Sequence, residues 1–267
     1  MLTVTSQDGT RIAYDRAGQG PAVILVEGAT GYRAFGFSPV LAQLLAPDFT
    51  VYSYDRRGRG ESGDTLPYAV AREVEDIDAL ITAAGGSASI YGISSGAALA
   101  LEAAIGLQGK VTKLALYEAS YDDSETGVAV WHTYRAKLTE ALAADRRGDA
   151  VALFMSIVGV PAEMIDGMRQ SPQWSVFEAI APTLAYDAAC LGPDRTVPTE
   201  RAAAVTAPTL VMDGGANIEI MPFMRASAVA LAAAIPNAQH RTLEGQRHDV
   251  DSQVLAPVLA EFFGGDE

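Results

Sequence analysis

Apolar residues recur along this chain in two rhythms. LTVTS and RIAYD alternate apolar and polar positions and are split by Asp8-Gly9, which predicts a hairpin. PAVILVEG is a continuous apolar run, as expected of a strand buried on both faces. FTVYSYD, SASIYG, VTKLALYE, PTLVMDGG and AQHRTLEG continue the strand series. Between these runs PVLAQLLA, AVAREVEDIDALITAAG, SGAALALEAAIG, MRASAVALAAAI and DSQVLAPVLAEFF carry helical period. Strands alternating with helices predict an α/β fold, with a mostly parallel central sheet and helices on both faces.

One segment breaks the alternation. From about Asp122 to Val205 no strand pattern is found, and WHTYRAKLTEALAADRRGD, AVALFMSIVG, PAEMIDGMRQ and WSVFEAIAPTLAYDAA read as four short helices punctuated by Gly and Pro. The expected organisation is a core of residues 1–121 and 206–267 with residues 122–205 inserted as a helical lid. Such an insertion would sit over the carboxyl ends of the strands, where open sheets bind ligands.

Candidate chemistry enters at GISSG, Gly92 to Gly96, between the strand SASIY and the helix AALALEAA. G-x-S-x-G at a strand-to-helix junction is a nucleophile elbow, whose tight turn demands small residues two positions either side of the serine. Ser94 meets that demand with Gly92 and Gly96, whereas Ser95 would be flanked by Ile93 and Ala97. Ser94 is therefore the expected nucleophile. The Ser95 N–H, at the first turn of the following helix, is an expected oxyanion donor.

With the elbow in place, three further stretches resemble the alpha/beta-hydrolase superfamily, and the likeness runs over nearly the full chain: PAVILVEGAT, DRRGRGESGD and LEGQRHDV. The resemblance implies that fold with an inserted lid, and a catalytic triad in the chain order nucleophile, acid, histidine. His248 then is the general base, while His132 and His240 read as packing or surface residues. Most members carry the acid beyond the next-to-last strand, where this chain has Asn217. Two carboxylates remain as candidates. Asp213 ends that strand, and Glu118, the preferred acid, ends the earlier strand VTKLALYE. Certain haloalkane dehalogenases place the acid after that earlier strand. The serine pair and the strand-end glutamate also resemble, locally, the lactonases that open zearalenone. Where members usually carry His-Gly, this chain has Glu27-Gly28, so the resemblance makes the Ala29 N–H the second oxyanion donor. Glu27 is expected to point away from that hole or to be paired, with Arg56, Arg57 and Arg33 as candidate partners.

Composition narrows the reading further. The chain has 267 residues and a formal net charge of -14, which argues against nucleic acid and anionic membranes as partners. A single cysteine, Cys190, excludes an internal disulfide. The N-terminus lacks a signal-like apolar core and no run is long enough to span a membrane, so a cytoplasmic monomer or homodimer is expected. No metal-ligand or dinucleotide motif is present, and no cofactor is expected. Tyr32, Phe35, Trp131, Phe154 and Trp174 are the expected lining of an apolar pocket. The leading expectation is a serine hydrolase acting on a small apolar carboxylic ester or lactone through an acyl-enzyme. C–C bond hydrolysis, perhydrolysis, and thioester release or cyclisation would use the same triad. Outside enzymes, a ligand-binding protein with a relict triad is the alternative.

Overall fold

The computed structural model describes residues 1–218 and 221–265. The strands are β1 (Leu2–Thr5), β2 (Arg11–Ala17), β3 (Ala22–Val26), β4 (Thr50–Tyr54), β5 (Ala88–Ile93), β6 (Val111–Tyr117), β7 (Thr209–Gly214) and β8 (Ala238–Leu243). Among the described residues they form one sheet in the order β1-β2-β4-β3-β5-β6-β7-β8. Gly9, at φ 86, supplies the left-handed residue that closes β1 onto β2. β2 pairs antiparallel with both β1 and β4, and every pairing from β4 to β8 is parallel.

Side-chain alternation along the central strands separates two apolar layers. Val23 and Leu25 of β3 face a layer with Leu41, Leu45, Leu255, Leu259 and Phe263. These come from helices α1 (Ser38–Leu45) and, at the far end of the chain, α11 (Ser252–Gly264). Ile24 and Val26 face the opposite layer, with Leu80, Leu99 and Leu231. That layer belongs to α2 (Val70–Ala83), α3 (Ser95–Gly106) and α10 (Pro222–Ala234). β5 and β7 are buried along their whole length, as their continuous apolar runs predict.

Between β6 and β7 the chain is helical: α4 (Glu125–Ala143), α5 (Arg147–Ile157), α6 (Ala162–Arg169), α7 (Trp174–Ile180), α8 (Leu184–Cys190) and α9 (Thr199–Ala202). Ser124 caps α4 by accepting the Gly127 N–H at 3.0 Å. WSVFEAIAPTLAYDAA, read above as one helix, is divided. Pro182 sits in a 3₁₀ turn, Ala181–Thr183, that ends α7 and starts α8 in a new direction. The buried side chains of the insertion, Trp131, Leu138, Val151 and Leu184 among them, are continuous with the layer under α3. No helix among the described residues is long and apolar enough to cross a membrane.

Candidate active site

β5 runs into α3 through Ser94, which takes φ 58 and ψ -129. That is a left-handed conformation costly for a residue with a Cβ, and the surrounding turn must hold it there. A Cβ on Gly92 would collide with the Gly96 carbonyl, and one on Gly96 with the carbonyls of Val26 and Glu27. The two glycines therefore let β3, β5 and α3 converge on one point. The Ser94 N–H is fixed by the Tyr117 carbonyl at 3.0 Å. Its hydroxyl projects from the turn, partly exposed, with its oxygen 3.3 Å from Ser120 Oγ. It forms no hydrogen bond to His248.

His248 lies in the loop between β8 and α11, and its Nδ1 is 2.7 Å from Glu118 Oε2. Glu118 immediately follows β6, is 1% exposed and holds φ 44, a second strained position beside the first. Its other oxygen, Oε1, accepts the Gly214 N–H at 2.9 Å. An ionised Glu118 accepts from Nδ1–H and so leaves His248 Nε2 able to take a proton. The His248 loop is held by the Tyr117 hydroxyl, which donates to the Arg247 carbonyl at 2.6 Å. It is held also by Ala216, whose N–H reaches the Gln246 carbonyl at 2.9 Å. Asp213 is engaged elsewhere: its Oδ1 lies 2.6 Å from His240 Nε2 and accepts from Thr242 Oγ1 at 3.1 Å. The Asn217 backbone closes a 3₁₀ turn, Gly215–Asn217, and its side chain lies outside the described residues.

The loop after β3 packs against the elbow, with Gly28 close enough that a Cβ there would sit 3.1 Å from Ser94 Cβ. Among the described residues neither the Ala29 nor the Ser95 N–H has an acceptor, so both are free donors beside Ser94. Glu27 is 3% exposed and turns its carboxylate away, into the loop ahead of α1, where it accepts the Ser38 N–H at 2.9 Å. Burial raises its pKa from 4.5 to about 7, against the lowering effect of the Ser38 hydrogen bonds and Arg59. Of the two arrangements expected for Glu27, pointing away or pairing with an arginine, it takes the first, and Arg56, Arg57 and Arg33 pair elsewhere. Arg56 binds Glu73 and Asp187, Arg57 binds Asp8 and Asp76, and Arg33 binds Asp15, Asp55 and Glu61. Glu73 and Asp76 each meet a guanidinium side-on through Nε and Nη2, whereas the Glu27 carboxylate lies in the turn of its own loop.

The expected pocket residues separate into two groups. Tyr32 and Phe35 stand on the loop after β3 with ring centroids 5.9 Å apart, and Phe35, 49% exposed, touches Phe177 of α7 edge-on at 6.0 Å. Phe154 is half-buried against the main apolar layer. Trp131 and Trp174 are taken up by packing within the insertion, since burial forces each indole N–H to find a partner. Trp131 donates to the Gly192 carbonyl at 3.0 Å, and Trp174 to Glu178 at 3.1 Å beneath Arg169. Three site residues escaped the sequence reading: Ser120, Arg59 and Asp187. The available signal was the charge density of DRRGRG, whose arginines must find acids if the loop is buried. Among the described residues no cluster of His, Cys, Asp and Glu is arranged to hold a metal ion.

Known proteins share the family and the fold of this chain. Residues 23–257 match the model of the alpha/beta hydrolase family. The chain is similar to a solved alpha/beta hydrolase from Sphaerobacter thermophilus, at 50% identity and TM-score 0.87, over 98% of this chain and 100% of that one. It is similar in fold to a thermophilic esterase from Thermogutta terrifontis, at 21% identity and TM-score 0.71, over 98% of this chain and 97% of that one. It is also similar in fold to the enol-lactonase of Burkholderia xenovorans, at 21% identity and TM-score 0.69, over 99% of this chain and 100% of that one.

Proposed function

The chain belongs to the alpha/beta hydrolase family, and from that premise we propose that it is a serine hydrolase cleaving an apolar carboxylic ester or lactone through an acyl-enzyme. The observation that carries this reading is the 2.7 Å contact between His248 Nδ1 and the buried Glu118 carboxylate, beside a serine held in an elbow. Fold likeness to an esterase and to an enol-lactonase supports the ester or lactone class.

In this mechanism Ser94 Oγ attacks the substrate carbonyl carbon as His248 Nε2 takes the hydroxyl proton. The carbonyl π pair moves onto oxygen, and the N–H groups of Ala29 and Ser95 stabilise that oxyanion. Glu118 stabilises the imidazolium formed at His248 and keeps the ring in register. Collapse of the intermediate breaks the bond to the alcohol oxygen, which receives the proton from His248. Water then attacks the acyl-enzyme by the same sequence, releasing the acid and restoring Ser94. A lactone follows the same course, its alcohol and acid remaining on one molecule. Tyr32 and Phe35 offer an apolar wall beside the loop donors, which favours a substrate with an apolar acyl or ring portion.

The test is covalent labelling with a fluorophosphonate combined with turnover of p-nitrophenyl butyrate. Wild type should label at Ser94 and show a burst. Ser94→Ala should lose labelling and turnover while melting at an unchanged temperature. Label on another residue, or esterase activity retained in Ser94→Ala, would falsify the assignment.

A further inference from the structure

Asp187 belongs to the insertion, yet it is 5% exposed beneath the elbow. Its Oδ1 accepts from the Ser95 hydroxyl at 2.8 Å and from Arg56 Nη1 at 2.7 Å. Its Oδ2 accepts from Arg59 Nη2 at 2.6 Å. Arg59 carries the connection further, because Nη1 of the same guanidinium donates to the Gly28 carbonyl at 2.7 Å and to the Gly31 carbonyl at 3.2 Å. Arg56 likewise reaches the Glu27 carbonyl, at 3.3 Å. In a trans peptide the carbonyl and the following N–H point to opposite sides. A guanidinium gripping the Gly28 carbonyl on one side therefore fixes the direction of the Ala29 N–H on the other. A single carboxylate thus touches the side chain of one free donor residue and, through one arginine, orients the peptide of the second.

Helix α8 brings Asp187 to this point and is itself anchored there. Tyr186 stacks on Tyr68 with ring centroids 3.7 Å apart, and its hydroxyl donates to Asp64 at 2.6 Å. Arg59 Nε donates to Thr183 at 3.0 Å. The remaining charge on Arg56 is met by Glu73, through two contacts of 2.7 Å, so the cluster is closed. A buried charge cluster of this kind is weak evidence of stability for its own sake, and some such clusters are retained to specify geometry.

We propose that Asp187 is a positioning residue that aligns both oxyanion donors, so that the helical insertion helps to build the catalytic hole as well as cover it. This rests on the serine hydrolase reading above. Asp187 touches neither substrate nor reacting atoms; it acts through Ser95 and Arg59.

The test compares wild type, Ser95→Ala, Asp187→Asn and the double variant in two assays. One is turnover of p-nitrophenyl butyrate. The other is inhibition by an alkyl trifluoromethyl ketone, whose carbonyl adds Ser94 Oγ and leaves an oxyanion in the hole. Loss of an entire oxyanion donor costs about 10²–10³ in kcat, so a misaligned donor in Ser95→Ala should cost about tenfold, with KM within about twofold. The ketone should weaken by the same factor, Ser95→Ala should stay folded, and Ser95→Ala should cost little more when added to Asp187→Asn. If Asp187→Asn does not fold, Ser95→Ala decides alone. Unchanged kcat and ketone affinity in Ser95→Ala, or a loss confined to KM, overturns the positioning role and leaves the hydrolase reading standing. A wild type that neither turns over, labels nor binds the ketone overturns both.

Discussion

Glu118 and Asp213 end neighbouring strands, both are at most 1% exposed, and each meets a histidine at hydrogen-bond distance. What separates them is which histidine. His248 stands in the loop beside the elbow, whereas His240 lies within the edge strand β8, paired in register with Val211. Glu118→Gln should therefore lower kcat on p-nitrophenyl butyrate by about 10³–10⁴, and Asp213→Asn should leave it within about threefold. Equal losses in both variants would break the assignment. The places of Ser94, at the strand-to-helix turn, and of His248, in the loop before the last helix, were readable from the order of strands and loops, whereas Glu118 was one of two carboxylates left open with Asp213. The His240–Asp213 contact was not readable, since it depends on the register of β8 against β7, which the polar alternation of AQHRTL leaves open. Asp187 was hidden for a related reason: it lies 92 residues beyond Ser95, in a helix whose direction is set by the turn at Pro182.

At the scale of elements, the loop between β3 and α1 is built around a buried acid. A Cβ on Gly31 or Gly36 would press on the Glu27 carboxylate and displace it. No side chain caps α1 from its own N-cap residue, Phe37, and Glu27 takes over part of that task through the Ser38 N–H. Burial moves the Glu27 pKa from 4.5 to about 7, so between those values the folded chain holds a proton that the unfolded chain has released. Stability therefore falls as pH rises through that window, and the loss is complete above it. Glu27→Gln should melt several degrees above wild type at pH 8, with the difference shrinking towards pH 4.5. An equal shift at both pH values would show that packing, not ionisation, sets the effect. The elements themselves were largely legible, because the central strands are apolar on both faces and their helices keep a clean period. The insertion was less so. Thr199–Ala202 is too short to carry a period, and Pro182 breaks a helix whereas Pro257 lies inside α11 without ending it. The difference comes from what each segment packs against, which no local pattern records.

For the whole molecule, net charge is the property that acts before any contact is made. The formal charge is -14, while Arg56 and Arg59, beneath the elbow, are buried and matched by Glu73 and Asp187. Arg56 and Arg59 are therefore spent inside the protein, Arg195 is held against the Ser120 carbonyl, and an approaching substrate meets a chain of net negative charge. Neutral esters are indifferent to that field, whereas an ester bearing its own carboxylate is repelled during encounter. The Debye length is about 10 Å at 0.1 M salt and about 30 Å at 0.01 M, so added salt should hide the repulsion. kcat/KM for a carboxylate-bearing p-nitrophenyl ester should start below that of its neutral isostere at low salt and rise several-fold as salt is raised to about 0.3 M, over which range screening shortens severely. For the neutral ester it should stay flat, and kcat should be salt-independent for both, because the effect lies in encounter. A preference for the anionic ester at low salt would reverse this picture. It would mean that an unmatched cation lines the substrate's path and outweighs the net charge of the chain.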